Sequence, residues 1–181
     1  MASGKGSNAK NICAFFKKSE IVSVKLICSN KKNSPLASFS NEIGVNYYFL
    51  DNTNDGFFDK FINYTLALNI DFIVLAGFLL KVPKKLVELY NGNIINIHPS
   101  LLPKYGGKGM YGLNVHRSVI KNNDSESGFT VHYVNKDYDE GDIIFQKTIK
   151  VATDDPKTLA KKVLIEEHKY YPEIIKKILY D

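Results

Sequence analysis

Ile94-Ile-Asn-Ile-His98, closed by Pro99, decides how the rest of this chain is read. Its β-branched residues favour a strand, and strand side chains repeat every two residues, so Asn96 and His98 share one face. Pro99 has no backbone donor and ends the ladder, which sets both polar side chains at the strand's carboxyl end. Moving upstream, Pro83 opens a helix that stops near Asn91-Gly92, and Phe72 to Ala76 is an apolar run expected to be a strand buried on both sides. Phe57 to Asn69 has helical spacing, with Phe58, Phe61, Ile62 and Leu66 on one face. Val45 to Phe49 and Ser23 to Cys28 are strands. Between them Ser34-Pro35 is an N-cap with proline at the first helical position, and that helix ends at Gly44. Asn8 to Lys17 is the first helix, with Ser7 as its cap.

Strands alternating with helices at this spacing predict an α/β fold. The expectation is a Rossmann-like, mostly parallel twisted sheet with helices on both faces. Downstream the pattern changes. Gly128 to Val134 and Ile143 to Val151 are two strands joined by an acidic turn, which gives the sheet antiparallel character near its C-terminal end. Pro156 to Tyr180 is a closing helix, bent at Pro172. Only Met1-Ala2 precede the glycine-rich Ser3-Gly-Lys-Gly6, so the first strand is expected to be truncated.

The chain has 181 residues, 44% of them apolar and 24% charged, as in ordinary globular proteins. No apolar run approaches the roughly 18 residues of a membrane span. No secretory leader opens the sequence, and Cys13 and Cys28 make neither a disulfide framework nor a metal knuckle. A cytoplasmic protein is expected. The net charge of +5 raises the question of nucleic acid, but Arg117 is the single arginine and the lysines are scattered. Planar guanidinium groups, which read bases, are therefore scarce, and neither a nucleic-acid nor a membrane partner is expected.

An amide and an imidazole at a strand's carboxyl end can stabilise an oxyanion and move a proton, and open α/β sheets bind ligands there. Other constellations fit less well. The acidic turn resembles a calcium loop only loosely, because Gly141 falls one place late and Gln146 stands where a carboxylate is required. His98, His116, His132 and Asp139 lack the tight pair spacing of a zinc site, so no metal is expected. His132 reads as a pocket or surface histidine supporting the site. The loop Lys104 to Gly112, with four glycines, reads as a mobile lid.

Five segments then carry a resemblance. Asn96-Ile-His-Pro-Ser-Leu-Leu-Pro103, Ser127-Gly-Phe-Thr-Val-His-Tyr-Val134, Asp137-Tyr-Asp-Glu-Gly-Asp142, the opening Ser3-Gly-Lys-Gly-Ser-Asn8 and Leu75-Ala-Gly-Phe78 resemble the phosphoribosylglycinamide formyltransferases, in the right order over nearly the whole chain. The resemblance implies one formyltransferase domain over residues 1–181, with a phosphate-binding half at 1–95 and a catalytic and folate-binding half at 96–181. It implies formyl transfer from 10-formyltetrahydrofolate to the amine of glycinamide ribonucleotide in purine biosynthesis. It further implies Asn96, His98 and Asp139 as catalytic residues. Gly6, Ser7 and Asn8 are assigned to the ribonucleotide phosphate, and Glu167 to the glycinamide end. The folate falls to Leu79, Leu80, Lys81 and Val82 with Asn96, Asn135 and Asp139. Leu79-Leu80 departs from the frequent Met-Arg of these proteins, leaving Lys81 to take over any contact with the folate tail. A monomer or weak homodimer is expected. Alternatives are a formyltetrahydrofolate hydrolase, another formyltransferase, or an inactive truncated nucleotide-binding homologue.

Overall fold

The computed structural model describes residues 1–152 and 155–180, which form two compact units, Met1–Ile94 and Ile95 onward. In the first unit β1 (Leu26–Ser29) and β2 (Asn46–Phe49) run parallel, with Leu26 opposite Asn46 and Ser29 opposite Phe49. Helix α2 (Pro35–Glu42) links them and packs on both. It starts as its sequence directs, the Ser34 hydroxyl accepting from the Leu36 N–H at 3.3 Å ahead of Pro35. Buried Ala2, Cys13, Ile27 and Leu36 form a core against which Phe39, Val45 and Tyr47 pack.

The leading strand is reduced to one bridge. Ala2 pairs parallel with Ser29 and donates to the Cys28 carbonyl at 2.9 Å. On the other side Ala76 donates to the Met1 carbonyl at 2.8 Å and the Met1 ammonium donates to Val74 at 2.7 Å. Met1-Ala2 thus hold ladder positions between β1 and β3 (Ile73–Leu75).

Two local expectations change. Ser7 is not a cap but the first residue of α1 (Ser7–Phe16), and the cap is Gly6 in the left-handed region at φ 73°. Among the described residues no side chain makes a capping hydrogen bond to this helix. Leu66 is 51% exposed on α3 (Phe57–Ala67), while Thr65 is buried beside Phe61 and Ile62. Thr65 donates its hydroxyl to the Ile62 carbonyl at 2.8 Å, which lets a threonine occupy the apolar stripe with its polar group satisfied. The unit closes with α4 (Lys84–Leu89).

In the second unit β4 (Ile94–His98, entering the unit at Ile95), β5 (Glu126–Tyr133) and β6 (Ile143–Lys150) are consecutive antiparallel neighbours. Asn96 faces His132 across the ladder and His98 faces Thr130. The β5–β6 register shifts between Val131 and His132. Gly128 admits the close approach of the two strands, because a Cβ there would collide with the Lys147 carbonyl oxygen.

Helix α6 (Pro156–Tyr180) packs on β5 and β6, with Tyr170 stacked 5.5 Å from Phe145. Asp155 caps it through the N–H groups of Lys157 and Thr158, and the helix continues through buried Pro172. A further helix, α5 (Leu113–Lys121), packs on α6 and was not evident in the sequence. Its buried Val115, His116 and Val119 supply helical spacing, but the glycine-rich stretch ahead of it obscures the start.

Candidate active site

The β4–β5 ladder brings the second unit's polar residues to one place. His98, 4% exposed, turns its Nε2 to the Tyr105 carbonyl at 2.7 Å and its Nδ1 to Asp139 Oδ2 at 3.5 Å. A carbonyl accepts only, so Nε2 carries a proton.

Asp139 lies in the acidic turn with its backbone in the left-handed region at φ 57°. Its Oδ2 also accepts from the Gly107 N–H at 2.9 Å. Its Oδ1 lies 3.5 Å from the Asn96 amide nitrogen and 3.7 Å from His132 Nε2. Gly141 keeps the turn tight, because a Cβ there would strike the Tyr133 carbonyl.

His132 is buried at 2% exposure, which removes the surface reading and leaves the supporting one. Its Nδ1 donates to the Tyr133 carbonyl at 2.8 Å, so the neutral ring presents a bare Nε2. The Asn96 amide donates to that nitrogen at 3.1 Å. Burial first of all holds the His132 pKa below its ordinary value, against the pull of Asp139. Two imidazoles thus flank one carboxylate.

Three contributors escaped the sequence reading. Thr130 donates to the Ser100 carbonyl at 2.6 Å and accepts from the Leu102 N–H at 3.0 Å, fixing the chain just beyond Pro99. Tyr105 and Gly107 each place a backbone group on the His98–Asp139 pair. Thr130 and His132 stand two residues apart opposite His98 and Asn96, a signal available once β5 is paired with β4. Backbone donors and acceptors leave no mark on residue type.

Glu167 is buried on α6, 6% exposed, and its charge adds to burial in raising the Tyr171 phenol. Asn135 accepts from the Asp137 N–H at 2.9 Å and shapes the acidic turn. In the first unit Gly6 and Asn8 are buried and Ser7 is exposed at the start of α1. Leu79 donates its N–H to the Ser3 hydroxyl at 2.9 Å, Lys81 is exposed and Val82 is buried. No group of three or more His, Cys, Asp or Glu side chains among the described residues is arranged to hold a metal ion.

A strand-end amide, a buried imidazole and a carboxylate are thus gathered at one place in the second unit. Residues 1–175 match the formyl transferase family, and the chain belongs to that family. It is similar to the phosphoribosylglycinamide formyltransferase of Escherichia coli K12, 32% identical over 97% of this chain and 83% of that one. The chloroplastic phosphoribosylglycinamide formyltransferase of Arabidopsis thaliana is 39% identical over 84% of this chain, which spans only 54% of that relative's length. Among solved structures, the Bacillus halodurans phosphoribosylglycinamide formyltransferase superposes with a TM-score of 0.90 at 32% identity, covering 98% of this chain and 92% of that one.

Proposed function

We propose that this chain transfers the formyl group of 10-formyltetrahydrofolate to the amine of glycinamide ribonucleotide. The observation carrying the proposal is the His98 ring held between the Tyr105 carbonyl and Asp139, beside Asn96. The amine nitrogen attacks the formyl carbon, and the carbonyl electrons move to oxygen, giving a tetrahedral oxyanion. Asn96 gives up its long 3.5 Å contact with Asp139 Oδ1 and donates to that oxygen, a contact worth about 3 kcal/mol of barrier. His98, held between the Tyr105 carbonyl and Asp139, serves as the stabilising imidazole beside it. Collapse breaks the bond from the formyl carbon to the folate nitrogen. That nitrogen receives the proton the amine gives up, relayed at the Asp139 carboxylate. The products are formylglycinamide ribonucleotide and tetrahydrofolate.

In the first unit Gly6, Ser7 and Asn8 bind the ribonucleotide phosphate at the start of α1. A helix N-terminus turns its first backbone N–H groups toward an anion. Glu167 receives the glycinamide amine. Leu79 to Val82, Asn135 and Asp139 receive the folate, largely through main-chain groups, which makes the Leu79-Leu80 substitution tolerable. The whole chain acts as one formyltransferase domain, its phosphate-binding half at 1–95 and its catalytic half at 96–181. It works as a monomer or weak homodimer in the cytoplasm, a reducing compartment that suits the buried free thiols Cys13 and Cys28.

The test is the absorbance change of folate deformylation with and without glycinamide ribonucleotide. Turnover that requires the ribonucleotide supports transfer. Deformylation at the same rate without it means hydrolysis, and none under either condition means the reading is wrong.

A further inference from the structure

Tyr105 is a bulky residue in the left-handed region, at φ 57°, a conformation that its Cβ disfavours. A contact outside the reacting centre holds it there. Its phenol donates to Asp124 Oδ2 at 2.7 Å and accepts from the Asn122 amide at 2.7 Å. Lys104 adds a 2.7 Å ion pair to the other Asp124 oxygen. Asp124 is itself placed by the end of α5, its N–H donating to the Val119 carbonyl at 3.2 Å after Asn123 has turned the chain at φ 52°. The backbone this anchors is the segment that meets the catalytic pair. The Tyr105 carbonyl takes the His98 Nε2 proton, and two residues on the Gly107 N–H holds Asp139 Oδ2. Gly106 between them is confined, because a Cβ there would press on Leu102 at 2.7 Å and Asp139 at 3.4 Å.

We propose that the Tyr105 phenol, anchored by Asp124 and Asn122, is a positioning device for the His98–Asp139 pair, acting through the Tyr105 carbonyl and the Gly107 N–H. Tyr105, Asp124 and Asn122 touch no reacting atom. They fix which His98 nitrogen keeps its proton and which edge of the ring faces Asp139. The kinetic part of this inference rests on the formyl-transfer reading, and its spectroscopic part does not.

The experiment uses the full chain, labelled with nitrogen-15, and the variants Tyr105→Phe, Asp124→Ala and Asn122→Ala. His98 is assigned in ring-proton spectra by its disappearance in His98→Gln. The expected result is a slowly exchanging Nε2 proton in the parent chain and solvent exchange faster by at least about tenfold in Tyr105→Phe and Asp124→Ala. In the same variants kcat falls roughly tenfold to a hundredfold with both KM values nearly unchanged, because the ring is misplaced while the substrate surfaces stay intact. Lys85→Ala, which removes an exposed pair with Asp59, should match the parent in both readouts. Tyr105→Phe keeps the ring volume, so it tests the idea even where Asp124→Ala folds poorly. Unchanged proton exchange and unchanged kcat in folded Tyr105→Phe overturn the proposal. A parent chain without formyl transfer but with the expected exchange pattern overturns only the reaction assigned above.

Discussion

The Asn96 amide donates to Nε2 of His132 at 3.1 Å, the two residues being direct partners across the β4–β5 ladder. A neutral imidazole is therefore what turns the asparagine toward the carboxylate of Asp139. The pairing ties the orientation of Asn96 to the register of two strands.

Replacing His132 should expose that dependence. His132→Phe leaves the Asn96 donor without its buried acceptor, a loss of about 1–3 kcal/mol in stability. His132→Gln restores an acceptor at that place and should recover much of it. Urea unfolding of the two variants checks the difference, and equal midpoints would remove the orienting role.

His98→Ala and Asp139→Asn should each lower formyl transfer by about two to four decades, the usual contribution of a positioned acid or base. Affinity for glycinamide ribonucleotide, measured calorimetrically, should stay within a few-fold. Near-full turnover by His98→Ala would discard the mechanism.

Stability should fall in mild acid. Burial, with the neighbouring His98 ring adding to it, pushes the His116 imidazole down to about 4 from 6.5, and burial lowers His132 in the same direction. Between pH 6.5 and about 4 the unfolded chain binds protons that the folded chain refuses, so stability present above 6.5 is lost as the pH falls. The His116 Nδ1 has no hydrogen-bond partner among the described residues, so His116→Leu should cost little at neutral pH. Melting temperatures from pH 7 to 4.5 should fall less steeply in that variant than in the parent.

Gly141→Ala should both destabilise and slow the protein, since the added Cβ meets the Tyr133 carbonyl beside the turn that carries Asp139. A loss of about 2 kcal/mol would appear as a drop of roughly 4–8 °C in Tm for a chain of this size. An unchanged Tm measured by calorimetry would contradict the close approach.

Much of the architecture was legible because periodicity and punctuation are local. Alternation put Asn96 and His98 on one face, Pro99 ended their strand, and Ser34-Pro35 opened α2 as its cap chemistry requires. Where two local rules competed, the reading slipped. Gly6 took the cap from Ser7 because glycine tolerates the left-handed turn, and Thr65 displaced Leu66 by satisfying its own hydroxyl within the helix.

By itself the sequence determined the alternation of strands and helices and the chemical types gathered at one strand end, since each depends on neighbours a few residues away. Only the tertiary structure decided that Asp139 lies against His98, 41 positions earlier in the chain, that His132 is buried against Asn96, and that Tyr105 meets the ring through its carbonyl. Those relations depend on strand pairing and on backbone groups that every residue carries, so no choice of side chain announces them.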